Sequence, residues 1–206
     1  KVYNRFFSSD IKYRNSIGSY LTPFLYVSIF FCLVIGIFSS EILIFLTPKE
    51  YHEASSIVTI LCLLYGFYFF GKQPQLLFAK KTGLISVLSF VTISLNIGLN
   101  YPMIKLFGVM GAVWATTMAG IMSTGIYFYF GQKYAHINYE KIVFVLIAYF
   151  VVSLISIYLL SSYFPDLDSL IKIKFLFVIG YTLIGVKAKI LNKSSFDFFR
   201  YFSKVN

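Results

Sequence analysis

Residues 21–40 contain no charged side chain, and the chain returns to that pattern several times over its 206 residues. At 1.5 Å of rise per residue, about 20 apolar residues form a helix long enough to cross a hydrocarbon layer of ~30 Å. Inside lipid every backbone N–H and C=O must be paired within the protein, which leaves the helix as the natural form of such a run. The first run, 21–40, continues past Glu41 to Leu46, where Pro48 is expected to end it. The second, 57–79, is interrupted by Lys72, whereas 84–104 and 109–130 are free of charge. The fifth, 142–164, is closed by Pro165. A sixth, 173–191, has a short uncharged centre, so Lys172, Lys174, Lys187 and Lys189 are expected to snorkel to the interfaces. The fold class expected is all-α integral membrane, with about six transmembrane helices.

Composition agrees. A soluble domain carries about 25% charged residues to cover its core, and this chain has 13%, with 58% hydrophobic. The net charge of +10 does not point to nucleic acid, because the basic residues fall in short clusters between apolar runs. Of the 18 Lys and Arg residues, all but Lys49, Lys105, Lys172 and Lys174 fall on one side of a six-span arrangement. Basic excess marks cytoplasmic loops, so both termini are expected to be cytoplasmic. The chain starts at Lys1 with a polar, basic stretch and no signal peptide, which points to a processed or truncated chain. In that stretch Val2, Phe6, Tyr13, Ile17 and Tyr20 share a helical face beside Lys1, Arg5 and Lys12, as an interfacial anchor would. The tail has the same character, with Phe196, Phe198, Phe199, Tyr201 and Phe202 among Lys193, Arg200 and Lys204.

Signatures of catalysis are missing. His52 and His136 sit in separate loops, and His52-Glu53 has no second ligand at metalloprotease spacing. Cys32 and Cys62 lie inside apolar runs and form no metal motif. Asp166 and Asp168, next to Pro165, read as a turn and helix cap. The connections are too short to hold a catalytic domain, and 105–108 is a turn so tight that its two helices should be antiparallel. No catalytic residue, metal or cofactor is expected.

Polarity inside the spans remains, and buried polar groups there face a cavity or a partner. Lys72, Gln73 and Gln75 flank Pro74 in a basic, amide-rich break of the second span. They can bind an anionic headgroup; in the other reading Lys72 snorkels to the interface and Pro74 only kinks the helix. Asn96 and Asn100, four apart, share a face and are candidates for substrate contact, although bridging to a neighbouring helix is the better reading. Glu41, near the end of the first span, reads as an interfacial group rather than a proton carrier. The fourth span carries two stripes of mostly small residues, Gly111, Ala115, Ala119 and Ala112, Thr116, Gly120, Thr124, which allow close helix packing.

The order of these segments resembles the C-terminal half of a polysaccharide flippase, O-antigen type, of the multidrug/oligosaccharidyl-lipid/polysaccharide exporter superfamily. The resemblance covers Lys1 to about Tyr139. It is carried by Ser94-Leu95-Asn96-Ile97-Gly98-Leu99-Asn100 leading into Phe107-Gly108-Val109-Met110-Gly111-Ala112, and by Leu76-Leu77-Phe78-Ala79-Lys80-Lys81 before it. Lys72-Gln73-Pro74-Gln75 is more polar than such proteins usually show. The resemblance implies one lobe of a two-lobed transporter: an amphipathic linker at 1–20, a four-helix core at 21–130, two extra helices at 131–191 and an interfacial tail at 192–206. It also implies a lipid-linked oligosaccharide as substrate, membrane lipids and a missing N-terminal lobe as partners, and the bacterial cytoplasmic membrane as location. A drug/cation antiporter of the same superfamily should carry embedded carboxylates. A membrane polymerase or acyltransferase should carry a large outer loop or an intramembrane catalytic set.

Overall fold

The computed structural model describes residues 17–71, 75–163 and 167–190, and every regular element among them is helical. The basic segments at 1–16 and 191–206, the break at Lys72, Gln73 and Pro74, and Pro165 with Asp166 lie outside the described residues, as does the side chain of Asp168. The elements are α1 (Ile17–Ile37), α2 (Ser39–Leu46), a 3-10 turn (Lys49–Ala54), α3 (Ser55–Gly71), α4 (Gln75–Phe78), α5 (Thr82–Tyr134), α6 (Lys141–Tyr163) and α7 (Leu167–Lys187). Four stretches are long and apolar enough to cross a membrane: α1, Lys49–Phe78, α5 and Lys141–Ser161. The chain is therefore an all-α protein with several helices suited to lipid. The described residues of Lys1–Phe31 and Asn138–Asn206 form one compact unit, and Cys32–Ile137 forms the other.

In the second unit the first apolar run is two helices rather than one. Phe38 departs from helical geometry (φ −96°, ψ 19°). Phe38 N still donates to Val34 O at 3.0 Å and Ile42 N to Phe38 O at 2.9 Å, so the axis bends without opening. A hydroxyl from α3 enters the bend: Thr59 Oγ1 lies 2.9 Å from Gly36 O and 2.9 Å from Ser39 Oγ. Polar insertion of this kind is a standard cause of helix kinks. Thr47 then closes α2 by donating its hydroxyl to Leu43 O at 2.7 Å, with Pro48 following.

The longest element, α5, has 53 residues but is not a straight rod. Gly108 sits at φ 58°, ψ −137°, inside an otherwise helical path. The arms on either side of it run antiparallel. Tyr127 of the second arm donates to Ile85 O of the first at 3.3 Å and shares a 2.9 Å hydrogen bond with Ser89 Oγ. Near the turn, a methyl group on Gly111 would collide with the Met103 carbonyl. Residues 85, 89 and 103 thus stand opposite 127 and 111 in descending order, as in a hairpin.

Helix α3 packs on the second arm, and the small residues make that possible. Ala115 and Ala119 are fully buried, and a methyl group on Gly120 would overlap Leu64 of α3. On Gly71 a methyl group would stand 2.8 Å from Thr124 Oγ1. Phe70 and Phe128 meet edge to face at 5.4 Å. The first arm is much less covered: Phe90 is 71% exposed, Tyr101 76% and Leu106 72%. Apolar exposure of that extent suits lipid and would drive association in water.

In the first unit, 17–31 of α1 lies with α6 and α7 around Tyr181, which is 0% exposed. Its ring stacks on Tyr26 at 5.0 Å and its hydroxyl donates to Tyr26 O at 3.0 Å. Tyr149 of α6 donates to Phe177 O of α7 at 2.9 Å. Glycines admit these rings: Gly185 faces Tyr26, and Gly180 faces the Tyr149 hydroxyl. One expectation fails here. Lys172 and Lys187 are exposed, but Lys174 is only 2% exposed and points into the unit. The reason is that α7 begins at Leu167, two turns before Lys174, so that residue is inside the helix rather than at its end. At 100° per residue, Lys172 and Lys174 also face nearly opposite directions.

Candidate functional site

Between α3, α4 and the two arms of α5 lies a cavity of about 350 Å³, within the second unit. Its walls are Tyr68 and Gly71 of α3, Leu76 and Leu77 of α4, Ile85 and Thr92 of the first arm, and Gly120, Ser123, Thr124 and Tyr127 of the second. The sequence builds it in a simple way. The hairpin turn at Gly108 returns the second arm beside the first, and Gly120 and Gly71 draw α3 against that arm. The first arm then touches the second near its far end through Tyr127, and the space between them stays open.

The walls are apolar with hydroxyl groups placed among them. Several helix-borne hydroxyls among the described residues are satisfied by their own helix: Thr92 donates to Leu88 O at 2.9 Å, Ser89 to Ile85 O at 2.9 Å and Ser153 to Tyr149 O at 2.7 Å. This back-bonding is the usual solution for Ser and Thr in apolar helices. Ser123 does not use it. Among the described residues, Ser123 Oγ and Thr117 Oγ1 are the buried side-chain oxygens without a hydrogen-bond partner. Ser123 is 5% exposed and lines the cavity. An unpaired buried hydroxyl costs about 1–3 kcal/mol.

No protein family, no curated protein and no solved structure matches this chain.

The residues singled out from the sequence fall in different places. Lys72 and Gln73 lie outside the described residues. Gln75 is 1% exposed, presses on Gly131, and donates from Nε2 to Ala135 O at 2.8 Å, so its amide ties α4 to the end of α5. Nearby, Gln132 closes the turn after α5 by accepting from Ile137 N at 2.8 Å and donating to Ile137 O at 3.0 Å. Asn100 donates to Asn96 Oδ1 at 2.8 Å and to Asn96 O at 2.9 Å. The two asparagines thus pair along their own helix, and neither lines the cavity. Gly111, Ala115 and Ala119 are buried in packing, and Gly120 both packs and lines the cavity. No group of three or more His, Cys, Asp or Glu side chains converges among the described residues.

Sequence reasoning missed Tyr68, Thr92, Ser123 and Tyr127. A signal existed: Gly120, Thr124 and Tyr127 follow the i, i+4, i+7 spacing of one helical face, with Ser123 beside them. Thr124 was legible only as a small residue for packing, because nothing in one helix tells which neighbour it will face.

The geometry separates a structural from a binding role for Gln75. Gln75→Ala is expected to lower stability by about 1–2 kcal/mol, through the lost hydrogen bond to Ala135 and the lost packing on Gly131. Detergent-solubilised protein followed by thermal unfolding checks this, and Asn96→Ala is expected to change it less.

Proposed function

We propose that this chain is the C-terminal part of a transporter that flips undecaprenyl-pyrophosphate-linked oligosaccharide repeat units across the bacterial cytoplasmic membrane for surface polysaccharide synthesis. The observation that carries the reading is the role of the motif behind the resemblance. In Phe107-Gly108-Val109-Met110-Gly111-Ala112, Gly108 takes the positive φ of the hairpin turn and Gly111 meets the Met103 carbonyl. The motif therefore coincides with a backbone geometry that requires glycine at both places.

In this reading α5 crosses the membrane twice, and α7 crosses once despite its lysines, giving six crossings with both ends of the chain cytoplasmic. The hairpin and α3 form part of a lobe whose motion against an N-terminal lobe gives alternating access. The break at 72–74 would meet the anionic headgroup through Lys72. The antiporter alternative has less support, because Glu41, in the first turn of α2 and towards the end of the first apolar run, is the acid found within the apolar runs. The protein acts as a transporter and not as an enzyme.

The test places the whole protein to which this chain belongs in a bacterial strain lacking its own flippase. Surface polysaccharide is expected to return and lipid-linked repeat units to stop accumulating. Lys72→Ala, at normal protein level, is expected to lower export at least tenfold. Drug resistance without restored polysaccharide would favour the antiporter and sink the flippase reading.

A further inference from the structure

We infer that the first arm of α5 is the contact surface of a homodimer, in which Asn96 and Asn100 hydrogen-bond to the same arm of a second copy of this chain. The inference rests on 82–134 crossing the membrane twice and is independent of what the protein carries.

Phe90, Ile93, Ile97, Asn100, Ile104 and Phe107 follow one another along this arm at alternating steps of three and four residues. That is the spacing at which two helices interlock their side chains. The five apolar members are exposed, and Asn100 is partly so. Spacing alone does not call for protein, because lipid covers an apolar stripe as well as another helix does. Helix α7 shows this. Its Leu176, Ile179, Leu183 and Val186 repeat at the same steps and are exposed, with no polar group among them. The first arm differs by its amides.

Asn100 Nδ2 is fully used, donating to Asn96 Oδ1 at 2.8 Å and to Asn96 O at 2.9 Å. Among the described residues nothing accepts from Asn96 Nδ2 and nothing donates to Asn100 Oδ1. Asn96 stands two residues past the middle of the uncharged run 84–104, about 3 Å along the axis, so its short side chain reaches neither membrane surface. Lipid offers no donor or acceptor at that depth. Whatever closes the pair has to bring an acceptor for Asn96 and a donor for Asn100 together. A second copy brings both: its Asn100 Oδ1 accepts from Asn96 Nδ2, and its own Asn96 returns the bond. Two copies inserted with one topology are related by a twofold axis along the membrane normal, so their first arms run parallel and the amide pairs meet at one height. A helix of another sequence would need the same donor and acceptor at that height by coincidence.

The experiment uses the full chain with Cys32 and Cys62 replaced by alanine, reconstituted at high dilution in phosphatidylcholine vesicles and oxidised mildly. Ile97→Cys, on the seam, is expected to give a disulfide-linked dimer whose yield survives the addition of excess lipid. At 100° per residue Leu95 faces away from the seam, so Leu95→Cys is expected to stay monomeric. Leu183→Cys, on the exposed stripe of α7, should stay monomeric too. Adding Asn96→Leu or Asn100→Leu to Ile97→Cys should weaken association about tenfold, read by dilution in lipid. Helix content equal to that of the native chain separates lost contact from lost folding. Equal linking at Leu95→Cys and Ile97→Cys, no dimer at Ile97→Cys, or undiminished linking with Asn100→Leu would each overturn the assignment. So would a linked product from intact cells whose mass is not twice that of the chain, since another protein would then cover the seam. Restored polysaccharide export with no dimer would overturn this inference alone. A dimer without restored export would count against the flippase reading and leave the contact surface standing.

Discussion

Tyr181→Ala is expected to lower the stability of the protein by about 3 kcal/mol or more, the largest loss foreseen for any single side chain. The ring is 0% exposed and is held on several sides: stacked on Tyr26 at 5.0 Å, with Tyr149 at 6.1 Å and Phe30 at 6.2 Å. Few small-molecule or lipid groups could refill such an enclosed volume, so truncation leaves a void as well as lost dispersion contacts. Tyr181→Phe keeps the ring and loses only the 3.0 Å hydrogen bond to Tyr26 O. Its cost should be nearer 1 kcal/mol, because that carbonyl is on a helix that already supplies it with a donor. Unfolding of purified protein in mixed micelles by denaturing detergent measures both. Equal stabilities for the alanine variant and the native protein would mean that α7 does not dock on α1 through this residue.

The second large effect is at the hairpin. Gly108→Val is expected to cost about 3 kcal/mol, at the upper end for a side chain forced into a glycine conformation. At φ 58° a β-branched residue clashes with its own backbone whatever space surrounds it. Gly111→Val should be similarly damaging for a different reason, since its side chain would meet the Met103 carbonyl, which cannot rotate away. Gly125 on the same arm has open space at its Cβ position. Gly125→Ala should therefore be neutral or stabilising by up to about 1 kcal/mol, through helix propensity. Yield of monodisperse protein and its thermal unfolding temperature give the order. Tolerance of valine at Gly108 would show that the chain reverses by another geometry.

Much of this helical organisation is written in the hydropathy of the chain. Uncharged runs such as 109–130 have one stable form in lipid, and Pro48 after 21–46 stops a helix wherever it falls. Those are local effects, legible one segment at a time. The bend at Phe38 was not legible, because it depends on Thr59 arriving from another helix to take the Gly36 carbonyl. Lys174 shows the same limit. Its charge marks a helix end when 173–191 is read alone, but α7 starts at Leu167, which puts the lysine two turns inside the helix, where it is buried.

The candidate site follows this division. Gly111, Ala115 and Ala119 announce close packing by their size and spacing, and they are buried. The cavity wall is assembled from α3, α4 and both arms of α5, spread between Tyr68 and Tyr127, with single hydroxyls that carry no signal individually. Gln75 stood out for its polarity inside an apolar run, yet a buried amide serves equally to tie one helix end to another. Polarity in a span marks a group that needs a partner; only the tertiary arrangement tells whether the partner is ligand or protein.

Everything proposed for this protein depends on 82–134 crossing a membrane twice. Single cysteines at Lys80, Lys105 and Lys133, introduced in a background with Cys32 and Cys62 replaced by alanine, can be probed in intact cells with a membrane-impermeant maleimide. Lys105→Cys is expected to label from outside, whereas Lys80→Cys and Lys133→Cys label only after the membrane is opened. Labelling of Lys80→Cys and Lys133→Cys from opposite sides, or of all three from one side, would contradict the hairpin span.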